Sequence, residues 1–310
     1  MKGCIKHKLP ATHDEWLNDR LKGIGGSDAG AVLGLNPYKS AYTLWAEKTG
    51  RISSYVPDNE AMRQGRDLEG YVAKRFEEET GKKVRKSGFS YQSKEYPFML
   101  ANVDRLVVGE DAGLECKTTS VLTKTKYDKG DIPASYYAQC MHYMAVTGAS
   151  RWYIAVLILN KGFYWYSIER NEEEIQNLIA AESDFWEMVT NNEEPIVDDS
   201  DSTSLTLEKL YPKDDGETLD LFGQENEIGL YMDIKARIKD LEKKKKEYEN
   251  TFKADLGNCT FGRSDRYQMS WKQIESERLD GKRLKEEKPE IYDQYLKKTN
   301  FRRFEVKEIS

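Results

Sequence analysis

The residues best suited to chemistry are Asp104 and, eleven positions on, the triplet Glu115-Cys116-Lys117, with a glycine-bearing turn between them. Two carboxylates offer hard oxygen ligands to a divalent cation such as Mg²⁺. An ammonium two residues along a strand projects to the same side as the second carboxylate. The trio suits attack of water on a phosphodiester. A metal would polarise the phosphate and acidify a bound water, while Lys117 would orient that water or balance the charge developing in the transition state. A plain surface hairpin with Glu and Lys on its solvent face is the alternative use of the same pattern, so the surrounding elements matter.

Those elements read as a hairpin. Ala101 to Val108 forms one strand, Gly109-Glu110-Asp111-Ala112-Gly113 the turn, and Leu114 to Thr118 the return. A turn centred near Asp111 sets Glu115 opposite Val107 and Lys117 opposite Arg105. The two acids are then one or two residues off register, a gap that twist or a bulge closes. Residues 1–190 alternate helix and strand periodicity and form the core domain. Helices fit 27–34, 40–48, 60–80, 134–147 and 171–190; strands fit 83–92, 98–108, 113–119, 151–159 and 162–169. The segment 151–159 is apolar on both faces and belongs at a sheet centre. It turns at Asn160-Lys161-Gly162 into a hairpin partner. The expected fold class is α/β, a mixed sheet flanked by helices.

Composition narrows the chemistry. At 310 residues the chain can bury one substantial core and carry a smaller appendage. No apolar run approaches the roughly 18 to 20 residues that span a bilayer, and Met1 to Pro10 lacks the apolar stretch of a signal peptide. A cytoplasmic protein without membrane contact is expected. The four cysteines, at 4, 116, 140 and 259, show no CxxC spacing, and the three histidines, at 7, 13 and 142, no metal-ligand spacing. Hydrolysis must rest on carboxylates and lysine. The net charge of −6 is concentrated in 191–226, where eleven acids face Lys209 and Lys213; the rest of the chain is net +3.

That acidic stretch reads as a linker or mobile loop. Beyond it, 227–310 reads as a long helix with a small α+β appendage. Tyr231, Ile234, Ile238, Leu241, Lys245, Tyr248 and Phe252 recur with heptad-like spacing, and Lys243 to Lys246 lie on the same helix. A hairpin around Gly262-Arg263-Ser264-Asp265, a helix near 278–298 and a strand Phe301 to Val306 follow. Arg263, Arg266, Tyr267, Trp271, Arg302 and Arg303 suit contact with duplex DNA or a protein partner, or simple packing.

Three further groups bear on the hairpin. Gly23-Ile24-Gly25-Gly26-Ser27-Asp28 leads into a helix of small residues; free amides, the helix dipole and nearby Arg20 suit a phosphate. The same residues also make a simple helix cap. Glu69 stands one helical turn beyond Gly65. Tyr136 and Gln139 share a helix face that can point back at the hairpin.

The order Arg20, Gly25-Gly26-Ser27-Asp28, Gly65-x-x-x-Glu69, Asp104, Glu115-x-Lys117, Tyr136-x-x-Gln139 resembles the YqaJ-like viral recombinases, relatives of phage lambda exonuclease in the PD-(D/E)XK nuclease superfamily. The likeness covers about residues 10–170. It implies a restriction-endonuclease-like core and Mg²⁺-dependent digestion (Mn²⁺ as a substitute) of double-stranded DNA ends, 5′ to 3′, for recombination by single-strand annealing. By the same resemblance Asp104, Glu115 and the Cys116 carbonyl are metal ligands and Lys117 is the catalytic lysine. Glu69 supports the metal, Gln139 reaches the phosphate or the lysine, and Arg20 with Ser27 holds a terminal 5′ phosphate, with Tyr136 nearby. It further implies a homo-oligomer, a trimer threading DNA, and a RecT-like annealing protein as partner. The chain departs from the lambda type in Gly113-Leu114 before the triplet, Thr118-Thr119 after it, and a tail past residue 190. An endonuclease of the same superfamily, or a DNA-end-binding module without chemistry, are the alternatives.

Overall fold

A computed structural model of the chain describes residues 3–120 and 132–309. The chain divides into two compact units, Met1–Tyr211 and Pro212–Ser310. The first runs β1 (Cys4–Lys8), α1 (His13–Leu21), β2 (Ile24–Gly25), α2 (Gly26–Val32), α3 (Ala41–Lys48), α4 (Glu60–Thr80), β3 (Val84–Arg85), β4 (Phe89–Ser93), β5 (Met99–Asn102) and β6 (Arg105–Val107). It continues with β7 (Ala112–Thr119), α5 (Ala134–Thr147), β8 (Arg151–Ile158), β9 (Gly162–Glu169), α6 (Glu172–Asn191) and α7 (Asp201–Leu210).

Its strands form two sheets, ordered β3-β6-β7-β8-β9 and β1-β4-β5-β2. The larger is mixed: β7 and β8 run parallel while its other neighbours run antiparallel. Strand β8 is the centre that its apolar run predicts, with Trp152, Ile154 and Val156 facing the α5 and α6 side and Tyr153 and Ala155 facing α4. Helix α4 starts where Asn59 accepts from the Met62 amide and ends at Gly81, in the left-handed region. Between these caps, Val72, Ala73 and Phe76 form one buried face over Leu114, Tyr153 and Ala155. Val72, Phe76 and Leu114, buried this way, each contribute about 1.5–3 kcal/mol.

Two expected strands are each broken in two, and the breaks make the site. The segment 98–108 leaves the smaller sheet after β5 and joins the larger one as β6, with Val103 and Asp104 between. The segment 83–92 divides likewise into β3 and β4. Hydrophobic patterning cannot register such a change of sheet, because both halves keep strand periodicity.

The acidic stretch 191–226 differs from the expected linker in its first part. Ser200 caps α7 by accepting from the Thr203 amide. The Thr203 hydroxyl donates to Ser40 at 2.7 Å, and Thr43 lies 2.8 Å from the Thr206 hydroxyl. Leu207 and Leu210 join the cluster of Trp45 and Phe185. Buried hydroxyls that satisfy one another hold this helix to the first unit, a feature that a charge count hides.

The second unit holds α8 (Glu225–Leu256), a short antiparallel pair β10 (Phe261–Arg263) and β11 (Gln268–Ser270), α9 (Gly281–Glu287) and α10 (Pro289–Tyr295). The helix expected over 278–298 is two helices because Pro289 starts the second and cannot continue the first. Phe301 to Val306 forms no strand; Phe304 instead sets its ring edge-on to Tyr231. No helix among the described residues is long and apolar enough to cross a membrane.

Candidate active site

Where the two sheets part, a cavity of about 820 Å³ opens. Its walls come from both breaks, Lys86 to Phe89 and Asn102 to Arg105, and from Glu115 on β7, Gln139 and Tyr143 on α5, Glu69 on α4, and Arg20 and Ser27 near the start of α2.

The register of β6 and β7 pairs Arg105 with Leu114 and Leu106 with Gly113. One step further along this ladder sets Asp104 across from Glu115, so the acids are not offset as the turn centred near Asp111 implied. The turn is shorter than expected, Val108 to Asp111, because Gly113 belongs to the strand. A Cβ on Gly113 would lie 2.2 Å from the Trp152 ring, so only glycine lets β7 lie against that indole.

Asp104 Oδ2 accepts the Cys116 amide at 2.8 Å. Burial first, and then the neighbouring Glu115 charge, push the Asp104 carboxyl well above the usual carboxylate range, against the pull of the Cys116 amide. Glu115 is 3% exposed. Its Oε1 lies 2.6 Å from Lys117 Nζ and accepts from Gln139 Nε2 at 2.8 Å, while its Oε2 is buried with no hydrogen-bond partner. Lys117 in turn donates to Gln139 Oε1 at 3.0 Å, and its ammonium stands 4.8 Å from the centre of the Tyr136 ring. Burial works against the Lys117 charge, but Glu115 more than offsets it, and the lysine is held above its ordinary pKa. Gln139 completes the group by donating to the Tyr143 hydroxyl at 2.8 Å. With both ends committed, its amide orientation is set.

The other expected residues fall as follows. Glu69 reaches the cavity wall but is ion-paired with Arg105, which also donates to the Asp104 carbonyl at 2.7 Å. The Cys116 thiol is pushed well up by burial and stays protonated, leaving only its backbone as a ligand source. Arg20 donates to the Ser27 hydroxyl at 2.9 Å and stacks on Trp16. Tyr136 packs on Lys117 rather than beside Arg20.

Three buried charged features near the site were given no role by the sequence reading. Asp28 is 2% exposed and takes Arg20 on Oδ1 at 3.0 Å and Lys48 and the Gly25 amide on Oδ2. Burial would raise its carboxyl, but Lys48 and Arg20 together hold it far below the usual range. Arg105 is the second; a buried arginine beside Asp104 needs a carboxylate, and Glu69 answers it. The third is the buried pair His142 and Glu182, with His142 Nδ1 2.8 Å from Glu182 Oε1 and Nε2 donating to the Leu100 carbonyl at 2.9 Å. The glycines before Ser27 also serve packing, since a Cβ on Gly26 would lie 2.5 Å from the Tyr143 ring.

Among the described residues no group of three or more His, Cys, Asp or Glu side chains stands ready for a metal. Asp104 and Glu115 nevertheless fit Mg²⁺, which binds through one or two carboxylates and keeps several waters. The buried, unpartnered Glu115 Oε2 is the acceptor such an ion requires.

The fold is that of the alkaline exonucleases. The chain resembles the alkaline exonuclease LHK-Exo from Laribacter hongkongensis, with a TM-score of 0.51 at 22% identity over 58% of this chain and 94% of that one. The same enzyme in complex with dAMP gives a TM-score of 0.52 at 21% identity over the same shares. The chain belongs to the YqaJ-like viral recombinase family. The model of that domain matches residues 15–150, and the uncharacterized protein YqaJ of Bacillus subtilis (strain 168) is 41% identical over 304 residues, 96% of this chain and 95% of that one.

Proposed function

We propose that the protein is a metal-dependent deoxyribonuclease that digests linear duplex DNA from its ends, 5′ to 3′, supplying single strands for recombination by annealing. The observation that carries this reading is Lys117 held between the buried Glu115 and Gln139 beside Asp104, at a cavity lined by Arg20 and Ser27. Mg²⁺ or Mn²⁺ bound by Asp104, Glu115 and the Cys116 carbonyl would polarise the scissile phosphate and make an attacking water acidic. Lys117, held by Gln139 and backed by Tyr136, places a fixed positive charge where the phosphorane charge grows. Glu69 and Arg105 steady the strand that presents Asp104. At the other end of the cavity, Arg20 and Lys48 face the single charge of Asp28, so one positive charge is left over for a 5′ phosphate at Ser27.

Linear duplex labelled at either 5′ or 3′ ends, run beside a covalently closed circle with and without Mg²⁺, tests this. Linear DNA should be degraded only with metal, releasing the 5′ label first, and the circle should survive. A circle cut as fast as linear DNA would make the protein an endonuclease. In the same assay Arg20→Ala should lower the preference for 5′-phosphorylated over 5′-hydroxyl ends about tenfold, as loss of one charge-assisted bond implies.

The annealing step calls for a RecT-like single-strand annealing protein and for a homo-oligomer that stays on its DNA. The exposed Arg263, Arg266, Tyr267 and Trp271 of the second unit are our candidate contact for that protein. The full chain should co-sediment with it and a chain ending at Tyr211 should not; equal co-sedimentation of both would refute the assignment.

A further inference from the structure

Matching donors to acceptors around Gln139 leaves one hydrogen without an acceptor, that of the Tyr143 hydroxyl. Lys117 donates to Gln139 Oε1, so Oε1 is the accepting end of the amide and Nε2 the donating end. The hydrogens of Nε2 go to Glu115 Oε1 and to the Tyr143 hydroxyl oxygen, each at 2.8 Å. An amide nitrogen accepts nothing, so the Tyr143 oxygen accepts here and its own hydrogen points elsewhere. Among the described residues no acceptor takes it. Glu115 Oε2, the free acceptor of the same cluster, is buried with no partner and so does not.

Tyr143 is 4% exposed, yet it lines the cavity. Spacings of three and four residues set Tyr136, Gln139 and Tyr143 on one face of α5. The Tyr143 ring is seated from two sides: a Cβ on Gly26 would lie 2.5 Å from it, and the Trp152 ring lies 5.0 Å away, centre to centre. A buried hydroxyl that accepts one bond and gives none is costly unless a ligand or water takes its hydrogen. The cluster thus offers an unused acceptor, Glu115 Oε2, and a neutral unused donor, the Tyr143 hydroxyl. The acceptor suits a metal, and the donor suits an oxygen of the DNA.

We infer that Tyr143 is a further catalytic residue, whose hydroxyl donates a hydrogen bond to a non-bridging oxygen of the scissile phosphate. The inference rests on the metal-dependent cleavage proposed above and adds a substrate contact to it. The Tyr143 oxygen shares Gln139 Nε2 with Glu115, which sets it beside the reacting phosphate rather than beside a base. Such an oxygen carries negative charge in the substrate and more of it in the transition state, so a donor aimed at it gains strength as the reaction proceeds. A phenol, with an ordinary pKa of about 10, supplies that donor without adding charge where Lys117 already answers Glu115. Gly26 and Trp152 hold the ring in place, so the donor is oriented before substrate arrives. No bond to Tyr143 forms or breaks; water supplies the new oxygen on phosphorus, and the phenol keeps its proton.

Linear duplexes carrying one phosphorothioate at the terminal scissile position, each diastereomer separately, test this on the full chain. Sulfur is a poor hydrogen-bond acceptor and a poor ligand for the hard Mg²⁺ ion, but Mn²⁺ tolerates it better. Mn²⁺ should therefore restore cutting of an isomer whose sulfur faces the metal, while the isomer whose sulfur meets Tyr143 should stay about tenfold slow with either ion. Tyr143→Phe keeps the ring against Gly26 and Trp152 and removes only the donor. It should lower kcat on the all-oxygen duplex by about 10- to 100-fold with KM unchanged. It should also leave the Mg²⁺-induced rise in melting temperature as in wild type, and shrink the Mn²⁺-insensitive penalty to less than about twofold. Digestion by Tyr143→Phe at the wild-type rate overturns the inference. So does a slower rate with both isomer penalties unchanged, since the hydroxyl would then act only by holding Gln139. A wild-type chain that digests the duplex but shows no Mn²⁺-insensitive penalty overturns it without any variant. A wild-type chain that leaves linear duplex intact with Mg²⁺ instead refutes the metal-dependent cleavage itself, and this contact with it.

Discussion

Lys117→Ala is expected to lower Mg²⁺-supported digestion of linear duplex DNA by about 10²- to 10³-fold, the usual cost of removing one preorganised charge from a transition state. Lys117 is the one cation in contact with Glu115 among the described residues, and Gln139 and Tyr136 fix its position. Its ordinary pKa is already high and the site raises it further, so it acts as a charge and a donor rather than a base. Glu115→Gln should abolish cleavage as well, by a separate route. If Asp104 and Glu115 hold the metal, Mg²⁺ at a hundred times its Kd stabilises the wild-type fold by about 2.7 kcal/mol, and that stabilisation should vanish in Glu115→Gln. Melting with and without Mg²⁺ reads this without any reaction. Lys117→Ala protein that is folded and cuts within a few-fold of wild type would remove the lysine from the mechanism.

Breaking the His142 and Glu182 pair should cost the fold about 3–5 kcal/mol, measured by urea unfolding of His142→Ala or Glu182→Ala. Both residues are fully buried, and each substitution leaves the other partner uncompensated. The loss is a large share of the roughly 5–15 kcal/mol that holds a domain together. Replacing both by leucine should cost less than the two single losses combined, since no orphaned charge remains.

The same pair predicts a direction with pH. Burial alone would lower the His142 pKa, but Glu182 more than offsets it, and the folded value is raised. The folded protein therefore keeps a proton that the unfolded chain releases near pH 6.5. That stabilisation is complete below this pH and is lost as pH rises through the folded value. Glu182 is itself raised, by burial, so its contribution is also lost with rising pH. Stability should fall as pH rises above about 6.5, the value of the unfolded histidine, and His142→Gln should flatten that slope. An unchanged slope would show that the pair does not titrate with folding.

Much of the site was legible from residue types alone. Spacing two apart put Glu115 and Lys117 on one strand face, and their contact follows from that periodicity. Spacing three apart on a helix put Tyr136 and Gln139 on the face that meets Lys117. The register of Asp104 was not legible, because Gly113 reads as a turn residue until Trp152 is seen against it. The buried pairings of Asp28, Arg105 and Glu182 were missed for a common reason. A charged residue in a sequence reads as solvated, and only a partner distant in the chain makes its burial tolerable.

Sequence by itself determined which carboxylates and lysine stand as candidates for chemistry, the α/β class and the helices and strands whose apolar period is local, such as α4 and β8. It also carried the family signature, since that rests on residue types in order. Tertiary structure alone decided where β5 and β6 part, and so where Asp104 stands, which acid pairs with Arg105, and that α7 belongs to the first unit. These depend on contacts between residues far apart along the chain. Their energies come from burial and desolvation, which no local pattern encodes.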